Sequence, residues 1–336
     1  MSSSGDLEGR SLDSVLKTKM PALGIDLGGT KLKAALVCDQ KLMSEPKRIP
    51  TPRGADKIID ALLQIIAEFR KDHLIAGVGI ATAGIVDFST GQVIGSTGNL
   101  PGWEGTRVKA LIEGRTMLPV VVENDANAAA YGEFRAAGLE NKSCIVAITV
   151  GTGIGGGIIL NGKLHRGAHW AAGEVGHLRI ALDNRRLCTC GLWDCWESFA
   201  AGRGLVMTCQ EILAGMTAGQ SPIAQHADQL TTDEVVEAAF AGDIIAGRAM
   251  SMWHEHLCAG LVTLAHTLDP DCFVVSGGMS EFIDFGLLRE LLSDRCLPRA
   301  GEKLEIHQSV LGMDSGLIGA AQLLLDSLVS SVGSRA

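Results

Sequence analysis

The run VVVEND ends in Glu123, Asn124 and Asp125, and Asn127 follows inside an alanine-rich stretch. The pattern predicts a strand over 119–125 and a helix over 126–137. In α/β proteins the carboxyl end of a strand is the usual place for a ligand. An ionised aspartate within hydrogen-bond reach of an alcohol takes its proton as a general base. In phosphoryl transfer the alcohol must also face a γ-phosphoryl group in line. Asp125 suits the base role. A plain helix N-cap is the competing reading, since Asn or Asp before such a helix is a common cap.

Two glycine turns offer the phosphate partner. DLGGTK (26–31) sets Asp26 at a strand end, then Gly28, Gly29, Thr30 and Lys31. Glycines let a phosphate reach backbone N–H groups that a Cβ would block. Asp26 has the hard oxygen chemistry that Mg²⁺ takes, directly or through water. A simple hairpin turn explains the same residues. VGTGIGGGI (150–158) carries Gly151, Thr152, Gly153 and Gly156, formally G-x-G-x-x-G. A dinucleotide fold would continue into a helix, whereas IILNGKLHRG reads as strand, turn and strand, so the Rossmann reading fails. No G-x-x-x-x-G-K-[ST] is present, which excludes a Walker-type NTPase. Ser276-Gly277-Gly278, after a strand, is a third place for close approach, under an adenine or ribose or as a strand cap.

Cys188, Cys190 and Cys195 lie together, with His177 ahead of them. Three thiolates and one imidazole satisfy tetrahedral Zn²⁺ and leave no open position, so the ion would be structural. Unrelated reduced cysteines are the alternative.

These groups must be carried by strands and helices. The chain has 336 residues, 46% hydrophobic and 20% charged, which suits two domains with real cores. A formal charge of −9 argues against general nucleic-acid binding. The first twenty residues are polar and read as a flexible leader rather than an export signal; no apolar run is long enough for a membrane span. A cytoplasmic location with reduced thiols is expected. Residues 22–39 predict a hairpin around Gly28-Gly29, 41–50 a third strand, 55–72 a helix, 75–80 a strand and 107–113 a short helix. Residues 144–167 repeat the hairpin signal; 199–215 and 233–267 read as helical, 272–278 as a strand, and 311–329 as a closing helix starting near Asp314. Alternating strands and helices make the class α/β, with a weak internal repeat opening each domain.

The motifs GIDLGGTK (24–31), NLPGW (99–103), ENDANAAA (123–130), TVGTGIGGG (149–157), GEVGH (173–177), CTCGLWDCWE (188–197), SGG (276–278) and SGLIGAA (315–321) occur in order. Together they make the chain resemble the ROK family of bacterial sugar kinases and repressors, within the actin/hexokinase/Hsp70 ATPase superfamily. The resemblance implies two actin-like (ribonuclease H-like) α/β domains with an interdomain cleft: 21–123 with a C-terminal helix 315–330, and 124–314 with the zinc loop. It implies Asp125 as the catalytic base. It also implies a sugar site from Asn99, Asn124, Glu174, His177 and Glu197, with backbone near Gly84 closing the pocket. ATP and Mg²⁺ are expected as cofactors beside structural zinc, and a homodimer as the assembly. His177 would bind zinc through one ring nitrogen and a sugar hydroxyl through the other. The family usually has glycine where this chain has Asp194, a residue that tolerates left-handed backbone. Trp196 is expected in the pocket wall or a dimer contact, and His165 and His169 carry no ligand role. Repressors of the family place a helix-turn-helix ahead of the first hairpin; a hairpin beginning near residue 22 makes a kinase the expectation.

The expected reaction is phosphorylation of a hexose at its 6-hydroxyl, glucose first. An N-acetylmannosamine or N-acetylglucosamine kinase is the runner-up, and a sugar-sensing regulator without catalysis the second class. An actin- or chaperone-like ATPase would have no use for the NLPGW, GEVGH and cysteine set.

Overall fold

The computed structural model describes residues 20–95, 100–215 and 221–333. The expected leader over residues 1–20 therefore falls almost wholly outside the described residues, and Asn99 does too. Contacts divide the chain into two units: one takes the residues up to Ala137, Ala168–Trp170 and those from Asp314 onward, the other Gly138–Gly167 and Ala171–Met313.

In the first unit, β1 (Ala22–Leu27) and β2 (Lys31–Cys38) form the expected hairpin, in register from Ala22↔Val37 to Leu27↔Leu32. The expected third strand is two short ones, β3 (Lys41–Leu42) and β4 (Lys47–Pro50), both paired to β2. Helix α1 (Ala55–Asp72) buries Ile58, Ile59, Leu62, Ile65 and Ile66, the stripe its spacing predicts. Strand β5 (Val78–Thr82) starts later than expected and runs parallel to β1. A small hairpin of β6 (Ile85–Asp87) and β7 (Gln92–Gly95) follows, then α2 (Val108–Thr116), β8 (Val120–Asn124) and α3 (Asp125–Ala136). The sheet order is β3-β2-β1-β5-β8.

Leu23, Ile25, Leu27, Val78 and Ile80 share one core with the α1 stripe. The closing helix (Ser315–Gly333) lies so near the sheet that a Cβ on Gly79 would stand 2.0 Å from the Ala320 carbonyl oxygen. The same helix crosses α3 at Gly319, where a Cβ would stand 1.7 Å from the Ala128 oxygen. This contact corrects the boundary read from sequence: α3 stays with the first unit, and the division falls after Ala137 rather than after residue 123.

In the second unit, β9 (Cys144–Val150) and β10 (Ile154–Leu160) form the next hairpin, extended by β11 (Lys163–Leu164). The expected helix over 199–215 is two, α4 (Glu197–Ala200) and α5 (Gly202–Ala214), parted by the extended backbone of Ala201. The 233–267 stretch is also two, α6 (Thr232–Phe240) and α7 (Ile244–Leu268). The break falls at Gly242 (φ 90°), after which Asp243 caps α7 by accepting the amides of Ile245 and Ala246. Strand β12 (Cys272–Ser276), α8 (Phe285–Arg295), α9 (Pro298–Gly301) and β13 (Glu305–Gln308) complete the unit. Its sheet order is β11-β10-β9-β12-β13, with β9 antiparallel to β10 and parallel to β12. Since β1 is likewise antiparallel to β2 and parallel to β5, the repeat seen in sequence is a repeated sheet topology.

Candidate active site

Asp125 begins α3 at the carboxyl end of β8, and the structure separates it from the cap. The cap is Asn124: its side-chain oxygen accepts the Asn127 amide at 3.0 Å, and its side-chain nitrogen donates to the Gly84 carbonyl at 3.0 Å. Gly84 holds φ 103°, the left-handed region that favours glycine, so this loop is pinned against Asn124. Asn124 keeps one further acceptor position for a ligand. Asp125 Oδ1 accepts the Ala126 amide at 2.9 Å. Burial raises the Asp125 carboxyl above the usual carboxylate range, against the opposing pull of backbone amides and Asn124. A carboxylate so raised is a stronger base.

Asp26, at the end of β1, stands near Asp125. Burial first, then the charges of Asp125 and Asp314, push its carboxyl up to about 6, against the opposing pull of Lys33. Lys33 Nζ lies 3.8 Å from Asp26 and 3.7 Å from Asp314. Asp314 Oδ1 is buried without a hydrogen-bond partner. Three gathered carboxylates, one of them with an oxygen held only by a 3.7 Å ion pair to Lys33, fit a hard divalent cation, so Asp26 suits Mg²⁺ and Asp314 joins it as a second candidate.

Sequence reading missed both Lys33 and Asp314. Counting the hairpin register back from Gly28-Gly29 would have set Lys33 opposite Asp26. Asp314, read only as a helix start, is the last residue of a short 3-10 turn that leads into the closing helix. Gly28 and Gly29 form the turn, where the Gly28 amide donates to the Lys31 carbonyl at 3.0 Å; Thr30 and Lys31 are exposed there.

In the second unit, the Gly151 amide donates to the Gly153 carbonyl at 2.9 Å, closing the turn that carries Thr152. Gly151 and Gly278 have open space where a Cβ would stand. Gly153 and Gly277 do not. A Cβ on Gly153 would lie 2.4 Å from Glu197 Oε2, and one on Gly277 (φ 91°) 2.4 Å from the Val150 carbonyl oxygen. Their small size serves packing within the protein.

His177, Cys188, Cys190 and Cys195 converge: their four ligand atoms all lie within 4.8 Å of one another. Cys190 and Cys195 Sγ are 3.7 Å apart, and Cys188 Sγ is 3.8 Å from His177 Nδ1. Tetrahedral Zn–S bonds of about 2.3 Å place sulfurs about 3.8 Å apart, so the quartet fits zinc. Burial pushes the Cys188 and Cys195 thiols up; coordination is what makes such thiols thiolates near neutral pH. His177 Nε2 faces away from this cluster, 3.7 Å from Glu174 Oε2, which leaves it oriented for a second partner.

Asp194 has the left-handed backbone (φ 61°) that glycine supplies elsewhere in the family pattern. Its carboxylate is buried and accepts the amides of Asn184, Arg185 and Arg186 at 2.7, 2.9 and 3.0 Å. Burial opposes ionisation, but the amides of Arg186, Asn184 and Arg185 hold the carboxyl below its usual range. The substitution therefore anchors the metal loop. Trp196 corrects the sequence reading: it is fully buried, donates to the His256 carbonyl at 2.9 Å and packs on Gly260, so it forms neither a pocket wall nor an exposed contact. Among the described residues no helix is long and apolar enough to cross a membrane.

The chain is similar to known proteins along most of its length. The chain is 36% identical to a glucokinase of Streptomyces coelicolor over 316 residues, covering 90% of this chain and 96% of the relative. It superposes on the crystal structure of a ROK family glucokinase from Streptomyces griseus in complex with glucose and AMPPNP. The TM-score is 0.75 at 35% identity, covering 90% of this chain and 98% of that one. A ROK hexokinase from Thermus thermophilus gives a TM-score of 0.73 at 31% identity, with 93% of this chain and all of the other (100%) covered. The ROK family model itself runs from residue 22 to residue 327, and the chain belongs to the ROK family.

Proposed function

We propose that this chain is an ATP-dependent hexose kinase of the glucokinase type, transferring the γ-phosphoryl group of ATP to the 6-hydroxyl of glucose. One observation carries the reading of the chemistry: Asn124 takes the helix cap, leaving Asp125, raised by burial, beside the carboxylate group of Asp26 and Asp314. Asp125 takes the proton of the 6-hydroxyl as the new O–P bond forms and the bond from the γ-phosphorus to the ADP oxygen breaks. Asp26 and Asp314 are the residues to hold Mg²⁺, which supplies neutralisation of the phosphate charge. Glu174 and the outer nitrogen of His177 read sugar hydroxyls, joined by Asn99, Asn124, Glu197 and the Gly84 backbone. Gly28, Gly29, Thr30 and Lys31 from one unit and Gly151, Thr152, Gly153, Gly277 and Gly278 from the other receive the nucleotide. The cleft expected from the family, with sugar and ATP held between the units, is part of this proposal, as is a homodimer.

The test is ADP release with Mg-ATP across a panel of hexoses and N-acetylhexosamines. Glucose is expected to turn over fastest. Faster turnover of N-acetylmannosamine or N-acetylglucosamine moves the substrate to the hexosamines. Sugar binding without ADP release from any sugar sinks the kinase reading in favour of a sugar-sensing regulator.

A further inference from the structure

Glu197 sits between two parts of the second unit that sequence treats separately. Oε2 accepts the amide of Ile154, the residue that closes the glycine turn, at 3.0 Å. Oε1 accepts the hydroxyl of Thr189 at 2.8 Å and lies 3.4 Å from the Sγ of Cys188, both within the cysteine loop. The fit is tight, because the side chain fills the space that a Cβ on Gly153 would need. A second contact joins the same two parts from the other side. The segment Val175–His177, which ends in the imidazole ligand, passes so close to β10 that a Cβ on Gly176 would stand 2.1 Å from the Ile154 carbonyl oxygen. Ile154 is thus gripped at its amide through Glu197 and crowded at its carbonyl by the segment bearing His177. Both grips belong to segments that carry, or directly follow, the four converging ligands.

We infer that Glu197, besides the sugar contact proposed for it above, braces the glycine turn against the metal loop, so that a loaded loop sets how well the turn binds nucleotide. This rests on the reading of residues 151–154 as part of the nucleotide site. Two segments hold the quartet, the turn Val175–His177 and the loop that carries Cys188, Cys190 and Cys195, and a metal-bound loop of this kind owes its shape to coordination. When the loop relaxes, Glu197 loses its Thr189 partner and the Ile154 amide loses a fixed acceptor. Preorganised donors lose affinity when their backbone becomes free to move.

The test measures ADP affinity by calorimetry and amide exchange at Ile154, with zinc content recorded throughout. In the wild type, stripping the metal with a chelator is expected to weaken ADP about tenfold and to speed Ile154 exchange. In Glu197→Ala, which removes both acceptor oxygens, ADP is already weaker and metal removal adds little. Equal weakening by the chelator in the wild type and in Glu197→Ala overturns the brace. Thr189→Val gives an arm that removes no metal ligand: with zinc fully retained, Ile154 exchange is expected to accelerate, and unchanged exchange refutes the inference. If the wild type binds no ADP at all, the nucleotide reading itself fails, an outcome distinct from wild type and variants binding alike.

Discussion

Asp125→Asn separates catalysis from stability. The amide has the shape of the carboxylate, and its oxygen can still accept the Ala126 amide that Asp125 accepts at 2.9 Å. The start of α3 therefore keeps its geometry, and Asn124 keeps the cap. What is lost is the base, a contribution of about 10²–10⁴ in rate, or about 3–5 kcal/mol of transition-state stabilisation. What is gained is relief from a buried charge. Burial raises the folded-state pKa of Asp125. A group raised in this way contributes stability that is present below its unfolded value and is lost as pH rises through its folded value. At neutral pH the wild type bears that loss and the neutral amide does not. The expected result is a kcat lowered by about 10²–10⁴ with glucose affinity held within about twofold, and a Tm equal to or above that of the wild type. Coupled ADP release at saturating glucose and Mg-ATP, glucose calorimetry and thermal unfolding of the same preparation measure all three. A kcat within tenfold of wild type removes the base assignment, and a clear fall in Tm means that Asp125 is a structural residue.

Cys190→Ser is expected to lower zinc content, read by plasma emission after desalting, and to lower Tm with it; full zinc retention refutes the quartet. Gly319→Ala drives a Cβ to 1.7 Å from the Ala128 carbonyl oxygen, with backbone on both sides, so a loss of about 1–3 kcal/mol or more is expected by calorimetry, and an unchanged Tm refutes that close approach. His256 is held neutral: burial, then Arg186 and Arg185, lower its pKa to about 4, and its Nδ1 is buried without a partner. A depressed group contributes stability that is present above about 6.5 and lost as pH falls through about 4, here about 3 kcal/mol. His256→Gln should therefore flatten acid unfolding in that window, and an identical acid midpoint counts against the assignment. Glucose is expected to compact the chain in solution scattering, as ligand closure does in many kinases; superimposable curves with and without sugar count against the expected cleft.

Much of this molecule is legible from local patterns. The hairpins at 22–39 and 144–164, the α1 stripe and the Asp125 strand end follow from period, turn residues and apolar runs. The metal quartet follows from residue chemistry at short spacing. The rest depends on contacts that spacing does not reveal. Asp314 reaches Lys33 only through tertiary folding, since the two stand at opposite ends of the sequence. Gly153 reads as a phosphate turn, but its neighbour is Glu197, from a segment far along the chain. Asp194 shows how one residue satisfies two demands, a left-handed backbone and three amides, where a glycine meets only the first. The splits of two long helical patterns turn on single backbone conformations, at Ala201 and Gly242, that apolar periodicity passes over.

The closing helix that covers β1, β5 and α3 is translated after the other described elements, and long after the strands it covers. The second unit is translated in full between them. During vectorial synthesis the early strands therefore wait, with one face open, until a complete neighbour has emerged, although early segments ordinarily finish folding first. A nascent chain stalled just short of residue 315 would carry a finished second unit and an uncovered first sheet, a natural client for a holding chaperone.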